Sequence, residues 1–197
     1  MDDGSILMTF NRLFTLSGVG EIDDSDIVQF IPTTTGPSTA GSFNFAFDGS
    51  DVGLTSNGED IDAIGMAPDG RFVISTVGSF SVSGVSGKDE DLLIFNSISF
   101  GPSTSGSFDL YFDGSDVGLT TRSEDVNGTW IDVTTGEIYL TTTGDFSIPA
   151  INGDRSDIFI CVPSSLGSST SCTFSLFWDG SANGFGGEKL DGFSIAK

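Results

Sequence analysis

Apolar residues lie in short blocks along the chain, and clusters of Gly, Pro, Asp and Ser separate the blocks. The middle of the chain shows the pattern most clearly, with blocks at residues 61–67, 71–77, 91–98 and 107–112. In the last block Phe108, Leu110 and Phe112 alternate with Asp109 and Tyr111, which is the period-two pattern of a half-buried strand. No apolar stripe with helical spacing persists. The pattern therefore predicts an all-β fold with antiparallel strands joined by turns.

The pattern occurs three times. The sequence FDGSDVGL begins at Phe47 and again at Phe112, and a third version, WDGSANGF, begins at Trp178. The Asp-Gly-Ser segments start at residues 48, 113 and 179, so the period is about 65 residues. We predict a single domain, residues 1–197, with three repeats of four antiparallel strands and an extra C-terminal strand. Their predicted bounds are about 5–60, 61–126 and 127–187 for the repeats and 188–197 for the extra strand.

Four antiparallel strands repeated about an axis are typical of propeller blades. The segments FDGSDVGL (47–54), EDID (59–62), RFVISTV (71–77) and DEDLLIF (89–95) resemble the β-propeller-like repeats of large secreted or surface bacterial proteins. This resemblance implies propeller-like blades and a location outside the cell, but no particular chemistry. Three blades are too few for a closed propeller. Two chains could complete a six-bladed ring, and a trefoil or a three-sided prism stays open as an alternative.

The two ends of the chain add to the repeat. Residues 5–10 align with the first strand of a unit, and residues 13–20 align with 71–78 and 137–144. Residues 188–197 align with 59–67, so the chain ends by starting a fourth unit, whose apolar residues are Leu190, Phe193 and Ile195. This strand either closes the first sheet of its own chain or adds to a neighbouring chain, which would give a homo-oligomer or polymer.

The charge excludes several functions. The formal net charge is −21, with seven basic residues and no His, so the chain would repel nucleic acid and anionic lipid. No run of about 18 apolar residues occurs, which predicts no membrane insertion. Mechanisms that need His are excluded. The recurrent carboxylates are copied from unit to unit, whereas catalytic residues in a repeat protein normally break the symmetry, so we predict that the protein is not an enzyme.

Acidic loops follow the first two repeats and predict calcium binding, because Ca²⁺ takes six to eight oxygen ligands from short, Gly-containing loops. In the third repeat Ala182 and Lys189 replace acidic residues, as in a degraded site. Alternatively, the acids only cap turns, which we also predict for the recurrent Asp26, Asp91 and Asp157. The predicted calcium ligands are Asp48, Asp51, Glu59, Asp60 and Asp62 in the first loop and Asp113, Asp116, Glu124 and Asp125 in the second.

Three residues outside the repeat pattern complete the prediction. Cys161 and Cys172 flank a turn between two strand-like blocks, which favours a disulfide and an exported protein. Trp130 lies in a small insertion (residues 127–129) that only the second repeat has, and it could stack on a sugar ring. The sequence thus predicts a non-enzymatic, self-assembling structural protein of the cell exterior or cell surface, stabilised by calcium. The alternative is a carbohydrate- or surface-binding module, adhesin-like or lectin-like.

Overall fold

The computed structural model describes residues 4–196 and is all-β, with no α-helix in that range. The first unit contains β1 (Ile6–Met8), β2 (Phe14–Leu16), β3 (Gly20–Ile22), β4 (Ile27–Thr34) and β5 (Ala40–Phe47). The second contains β6 (Ile61–Met66), β7 (Phe72–Thr76), β8 (Phe80–Val82), β9 (Val85–Gly87), β10 (Leu92–Ser99) and β11 (Ser105–Phe112). The third contains β12 (Val126–Ile131), β13 (Ile138–Thr142), β14 (Phe146–Ile148), β15 (Ile151–Gly153), β16 (Ile158–Ser165) and β17 (Ser171–Trp178).

Each unit has one antiparallel sheet and one small hairpin. The second and third sheets have four strands, in the orders β6-β7-β10-β11 and β12-β13-β16-β17. The first sheet has only three strands among the described residues, in the order β1-β4-β5. Each small hairpin lies between the second and third strands of its sheet, in a stretch that the sequence pattern predicts to be a loop. The three hairpins are β2-β3, β8-β9 and β14-β15. Short 3-10 turns lie at Ser50–Val52, Ser115–Val117, Arg122–Glu124 and Ser181–Asn183.

The structure corrects the alignment of the N-terminal residues. β1 pairs with β4 in the way that β7 pairs with β10, so it is the second strand of its sheet and not the first. Likewise, residues 13–20 form the hairpin β2-β3 and correspond to the hairpin β8-β9, not to β7. The LFTL and RFVIST segments are both short apolar blocks that contain Ser or Thr, and only strand pairing distinguishes them. Among residues 4–196, the first unit therefore shows no first strand of its own.

The core lies between consecutive units. One cluster packs Phe47 and Leu54 of the first unit against Phe95 and Phe108 of the second, among others. A second cluster repeats this arrangement between the second and third units. The rings are closely packed, with the centroid of Phe47 lying 5.0 Å from that of Phe95. Because burying one such ring contributes about 2–3 kcal/mol, packing between units is a main source of stability.

Residues 190–196 are not in a strand, although they correspond in sequence to β6 and β12; Lys197 lies outside the described residues. The segment begins as those strands do, because the Leu190 N–H donates to the Arg155 carbonyl at 3.0 Å. It then continues beside a cavity that is also lined by β1, β6 and β12. No helix in the described part of the chain is long and apolar enough to cross a membrane.

Candidate functional site

The recurrent Asp-Gly-Ser segment is a turn that the Asp side chain caps. Asp48 Oδ1 accepts hydrogen bonds from Ser50 Oγ at 2.8 Å and from the Asp51 N–H at 3.2 Å. Asp113 accepts the same two bonds from Ser115 and Asp116. The third unit keeps this cap, with Ser181 and Ala182 as donors to Asp179. The first Asp of each loop therefore has a local structural role in all three units.

The Gly of the segment is held against an acidic turn earlier in the unit. A Cβ atom on Gly49 would overlap the Ser25 carbonyl oxygen, so no side chain fits there. The Gly49 N–H donates to Asp26 Oδ1 at 3.2 Å, and the other oxygen of Asp26 accepts from the Asp23 N–H. Asp91 and Asp157 make the equivalent bonds in their own units. The prediction that these residues cap turns is confirmed.

The same segment also contacts the next unit. The contact is made by the tip of the turn between the third and fourth sheet strands of that next unit. The Asp48 N–H donates to Thr104 Oγ1 at 2.9 Å, and the Gly101 N–H donates to the Ala46 carbonyl at 3.0 Å. The junction of the second and third units repeats both bonds with the tip that carries Gly167 and Thr170. Sequence reasoning missed these tips, although GPST occurs at residues 36–39 and again at 101–104.

Glu59 and Glu124 bind backbone N–H groups with both carboxylate oxygens. Glu59 Oε2 accepts from Thr55 and Ser56, and Oε1 accepts from Ser81 in the hairpin β8-β9 of the next unit. Burial acts to raise the pKa of each carboxyl, but the hydrogen bonds outweigh it, so both pKa values lie below the usual range. Glu124 bonds Thr120, Thr121 and Ser147 in the same way. Both residues therefore attach a loop to the following unit.

Asp60, Asp62 and Asp125 lie where the first strands of the second and third sheets begin. Burial raises the pKa of each of the three, and for Asp125 it reaches about 7. The charge of Asp89 adds to the effect at Asp125, and the charge of Asp24 adds to it at Asp60. Lys189 occupies the position in the third unit that corresponds to Asp60 and Asp125, and it forms an ion pair with Asp191 at 3.0 Å.

The predicted calcium ligands do not converge in the described part of the chain. Within residues 4–196 no group of three Asp, Glu or Cys side chains is placed to hold a metal ion. Several members of the set already accept protein hydrogen bonds, and Asp116 accepts the Thr170 N–H. Calcium binding therefore stays a prediction that melting curves with and without a chelator would test.

The structure contains the predicted disulfide, between Cys161 and Cys172 on neighbouring strands. In the second unit the corresponding residues are Phe95 and Gly106, and the Phe95 ring lies over the Gly106 Cα. The first unit has the same arrangement of Phe30 over Gly41. The disulfide therefore replaces an aromatic ring packed on a glycine.

Trp130 is half-buried, and its ring packs edge-on to Tyr139 at a centroid distance of 5.1 Å. It borders the cavity beside residues 190–196, which has a volume of about 1520 Å³ and also contacts Asp132 and Thr134. The predicted sugar-stacking residue is thus packed on another aromatic ring at the wall of a large cavity.

The two ends of the array expose apolar side chains whose equivalents are buried inside it. Phe185 is 48% exposed, whereas its equivalents Leu54 and Leu119 are 1% and 0% exposed. Phe43 is 36% exposed, whereas its equivalent Phe108 is 5% exposed. Within the described residues, no strand of the first unit pairs with a strand of the third. Within residues 4–196, one half of the unit–unit interface is therefore uncovered at each end of the array.

Comparison with known proteins gives no relative: no family model, no curated protein and no solved structure matches the chain. The functional conclusion therefore depends on the geometry of the ends and of the junctions between units.

Proposed function

We propose that the protein is a non-enzymatic structural protein of the cell exterior that self-associates, with its C-terminal segment completing the first sheet of another copy. In this proposal the units are propeller-like blades, as in the repeats of secreted or surface bacterial proteins that the sequence resembles. One observation carries the proposal. Among the described residues, the first sheet has no first strand, and the C-terminal segment begins like a first strand but belongs to no sheet.

The start of the C-terminal segment supports this assignment. The Ile61 N–H donates to the Asp24 carbonyl, and the Val126 N–H donates to the Asp89 carbonyl. These two bonds fix the first residues of β6 and β12 to the preceding unit. Leu190 makes the corresponding bond to Arg155, so the segment leaves the third unit at the point where a following sheet would begin.

The unpaired edge of β1 in the first sheet also supports strand addition. β7 and β13 each lie between two neighbouring strands, whereas β1 has β4 as its one partner among the described strands. A strand with an unpaired edge is a template for another chain, since its N–H and C=O groups can extend the ladder. In the register of β6 on β7, Phe193 and Ile195 would face Met8 and Ile6. Alternating apolar pairs would then continue across the sheet.

The disulfide and the composition support the location. Disulfides persist in oxidising compartments such as the exterior of the cell, and the chain contains one. The net charge of −21 keeps such a protein soluble and away from nucleic acid and anionic lipid. The recurrent carboxylates make structural hydrogen bonds at equivalent places, which supports a non-enzymatic role.

Truncation tests strand addition directly. We expect deletion of residues 190–197 to convert the associated protein to a monomer, measured by sedimentation velocity over a range of protein concentrations. A peptide with the sequence of residues 188–197 should then bind the truncated chain and raise its melting temperature, because it completes the sheet at β1. A peptide of the same composition in scrambled order is the matched control. A full-length chain that is monomeric at every concentration contradicts the proposal.

Trp130 at the wall of the cavity favours a second candidate, the carbohydrate-binding module. Aromatic rings beside carboxylates and hydroxyls bind sugars by stacking and hydrogen bonding, and Trp130 lies near Asp132 and Thr134. Binding to a glycan array that is lost in a Trp130→Ala variant would favour this function over a purely structural one.

A further inference from the structure

We propose that the outer face of the third unit binds the outer face of the first unit in a second copy of the chain, repeating the interface already used twice within one chain, so that two chains close a ring of six units. This inference rests on the proposed self-association and names the surfaces that carry it. We define the first-unit face as Ile6, Met8, Phe14, Leu16, Phe30 and Phe43, and the third-unit face as Ile158, Phe177, Trp178 and Phe185.

The internal interfaces show what these faces are built to contact. Between the first and second units, the Phe47 ring lies 5.0 Å from Phe95, 6.3 Å from Phe108 and 6.5 Å from Phe72. One aromatic ring at the end of the fourth sheet strand thus sits among three rings of the next unit. Phe112 occupies the same position in the cluster between the second and third units.

The third-unit face has the inserting side of this interface. In the first and second units, the residues equivalent to these four pack into the cluster shared with the next unit. All four positions are apolar in every unit. Trp178 replaces the inserting Phe and packs on Phe185 at a centroid distance of 5.4 Å. The corresponding residues are Ile27, Ala46, Phe47 and Leu54 in the first unit, and Leu92, Tyr111, Phe112 and Leu119 in the second.

The first-unit face has the receiving side. Its Phe30 and Phe43 rings pack together at 4.9 Å, much as Phe95 and Phe108 do at 5.1 Å. Ile6 is 52% exposed, whereas its equivalents are almost fully covered by the preceding unit. All six positions are apolar, and in the second and third units their equivalents belong to a core cluster. These equivalents are Phe72, Ile74, Phe80, Val82, Phe95 and Phe108 in the second unit, and Ile138, Leu140, Phe146, Ile148, Cys161 and Phe174 in the third.

The polar part of the interface is also present at both ends. At the internal junctions a Thr at a turn tip accepts the N–H of the Asp in the Asp-Gly-Ser segment. The corresponding pair is Thr39 at the first unit and Asp179 at the third. The tip already has the bound conformation, because Thr39 Oγ1 donates to the Gly36 carbonyl at 2.7 Å, as Thr104 Oγ1 does to Gly101.

The number of chains follows from closure. The contact is heterologous, since two different faces meet, and such contacts give a ring if the rotation closes and a filament if it does not. Rings of four-stranded sheets typically have four to eight units. Each chain contributes three, so two chains make the one multiple of three in that range. In this ring each C-terminal segment reaches the β1 edge of the partner.

Two single variants and their mixture test the pairing of the faces. Phe43→Glu places a charge on the first-unit face, and Phe185→Glu places one on the third-unit face. Each variant alone should be monomeric, with its dissociation constant raised about 30-fold or more. A mixture of the two should form 1:1 dimers, because one chain has an intact first-unit face and the other an intact third-unit face. Masses from light scattering and sedimentation give the readout.

The control is Ile98→Glu, which adds the same charge at a side chain that is 85% exposed and outside both faces; it should leave the dimer unchanged. A dimer formed by either variant alone, or no dimer in the mixture, overturns the pairing of the two faces. Wild-type filaments or trimers overturn the two-chain ring.

The deletion separates this inference from strand addition. If the dimer persists in both Glu variants but is lost on deletion of residues 190–197, this inference fails and strand addition stands. A dimer lost in both variants but kept after the deletion supports the faces and contradicts strand addition.

Discussion

At the residue scale, the recurrent Asp-Gly-Ser segment makes close contacts with three parts of the structure. The Asp caps its own turn, the Gly N–H binds a buried Asp of the same unit, and the Asp N–H binds the next unit. In the second unit these residues are Asp113, Gly114 and Asp91, and the partner in the next unit is Thr170. One short segment therefore connects three parts of the structure, which is a physical reason for its recurrence.

The Gly of this segment should tolerate no side chain. A Cβ atom at Gly114 would overlap the Glu90 carbonyl oxygen, and neither backbone segment can move without breaking the bond to Asp91. We expect Gly114→Ala to lower the free energy of unfolding by about 3 kcal/mol or more, measured by urea denaturation. Gly186→Ala is the control, since a Cβ there meets nothing closer than 3.8 Å. An equal, small effect of both changes would contradict this account of the motif.

At the element scale, the third sheet shows how one unit keeps its packing after losing an aromatic ring. Phe95 of the second unit corresponds to Cys161, and its smaller neighbour Leu93 corresponds to Phe159. The large residue has therefore moved two positions along the strand, and the disulfide occupies the place of the ring packed on Gly106. Exchanging the positions of large and small side chains lets different residues fill a core of similar shape.

This compensation predicts the effect of a triple variant. Removing the disulfide by Cys161→Ala and Cys172→Ala should lower the unfolding free energy by about 2–3 kcal/mol, because the cross-link restricts the unfolded chain. Phe159→Leu, Cys161→Phe and Cys172→Gly together reproduce the residues of the second unit. This variant should be more stable than the double Ala variant, and a reducing agent should not change its melting temperature. Cys161→Phe with Cys172→Gly alone should be less stable than the triple variant, because Phe159 then overfills the core.

Element prediction from the sequence succeeded where strands were long and failed where they were short. The eight-residue strand β11 follows from the alternation around Phe108, and β10 follows from the apolar block at residues 91–98. The hairpin β8-β9 has three-residue strands in a Gly- and Ser-rich stretch, which carries too few alternations to be recognised. The same ambiguity shifted the N-terminal alignment by one strand. The pairing of Asp48 with Thr104 depends on contacts between units, and no local pattern encodes it.

At the scale of the whole molecule, buried carboxyls at several places in the array work against folding at neutral pH. Burial raises the pKa values of Asp26 in the first unit and Glu90 in the second to about 7, as it does for Asp125. Inside the array, Asp125 faces the charge of Asp89, whereas the third unit has basic residues, Arg155 and Lys189, at the two equivalent positions. The third unit therefore has positive charge at two positions where the internal junction has acidic residues, and the charge of Lys189 also acts to lower the pKa of Asp125.

These carboxyls predict how stability depends on pH. A carboxyl whose pKa is higher in the folded than in the unfolded state binds more protons when folded, so the free energy of unfolding falls as pH rises between the two values. For Asp125 that window runs from about 4 to about 7. The urea midpoint of the wild-type protein should therefore be lower at pH 8 than at pH 5.5.

Asp125→Asn should stabilise the protein by about 1–2 kcal/mol at pH 8 and by about half as much at pH 5.5, after allowance for solvent screening. Asp145→Asn removes the same charge from an exposed loop and should change the midpoint little at either pH. If both variants shift it equally, the net charge of −21, and not burial at the junction, controls the pH dependence.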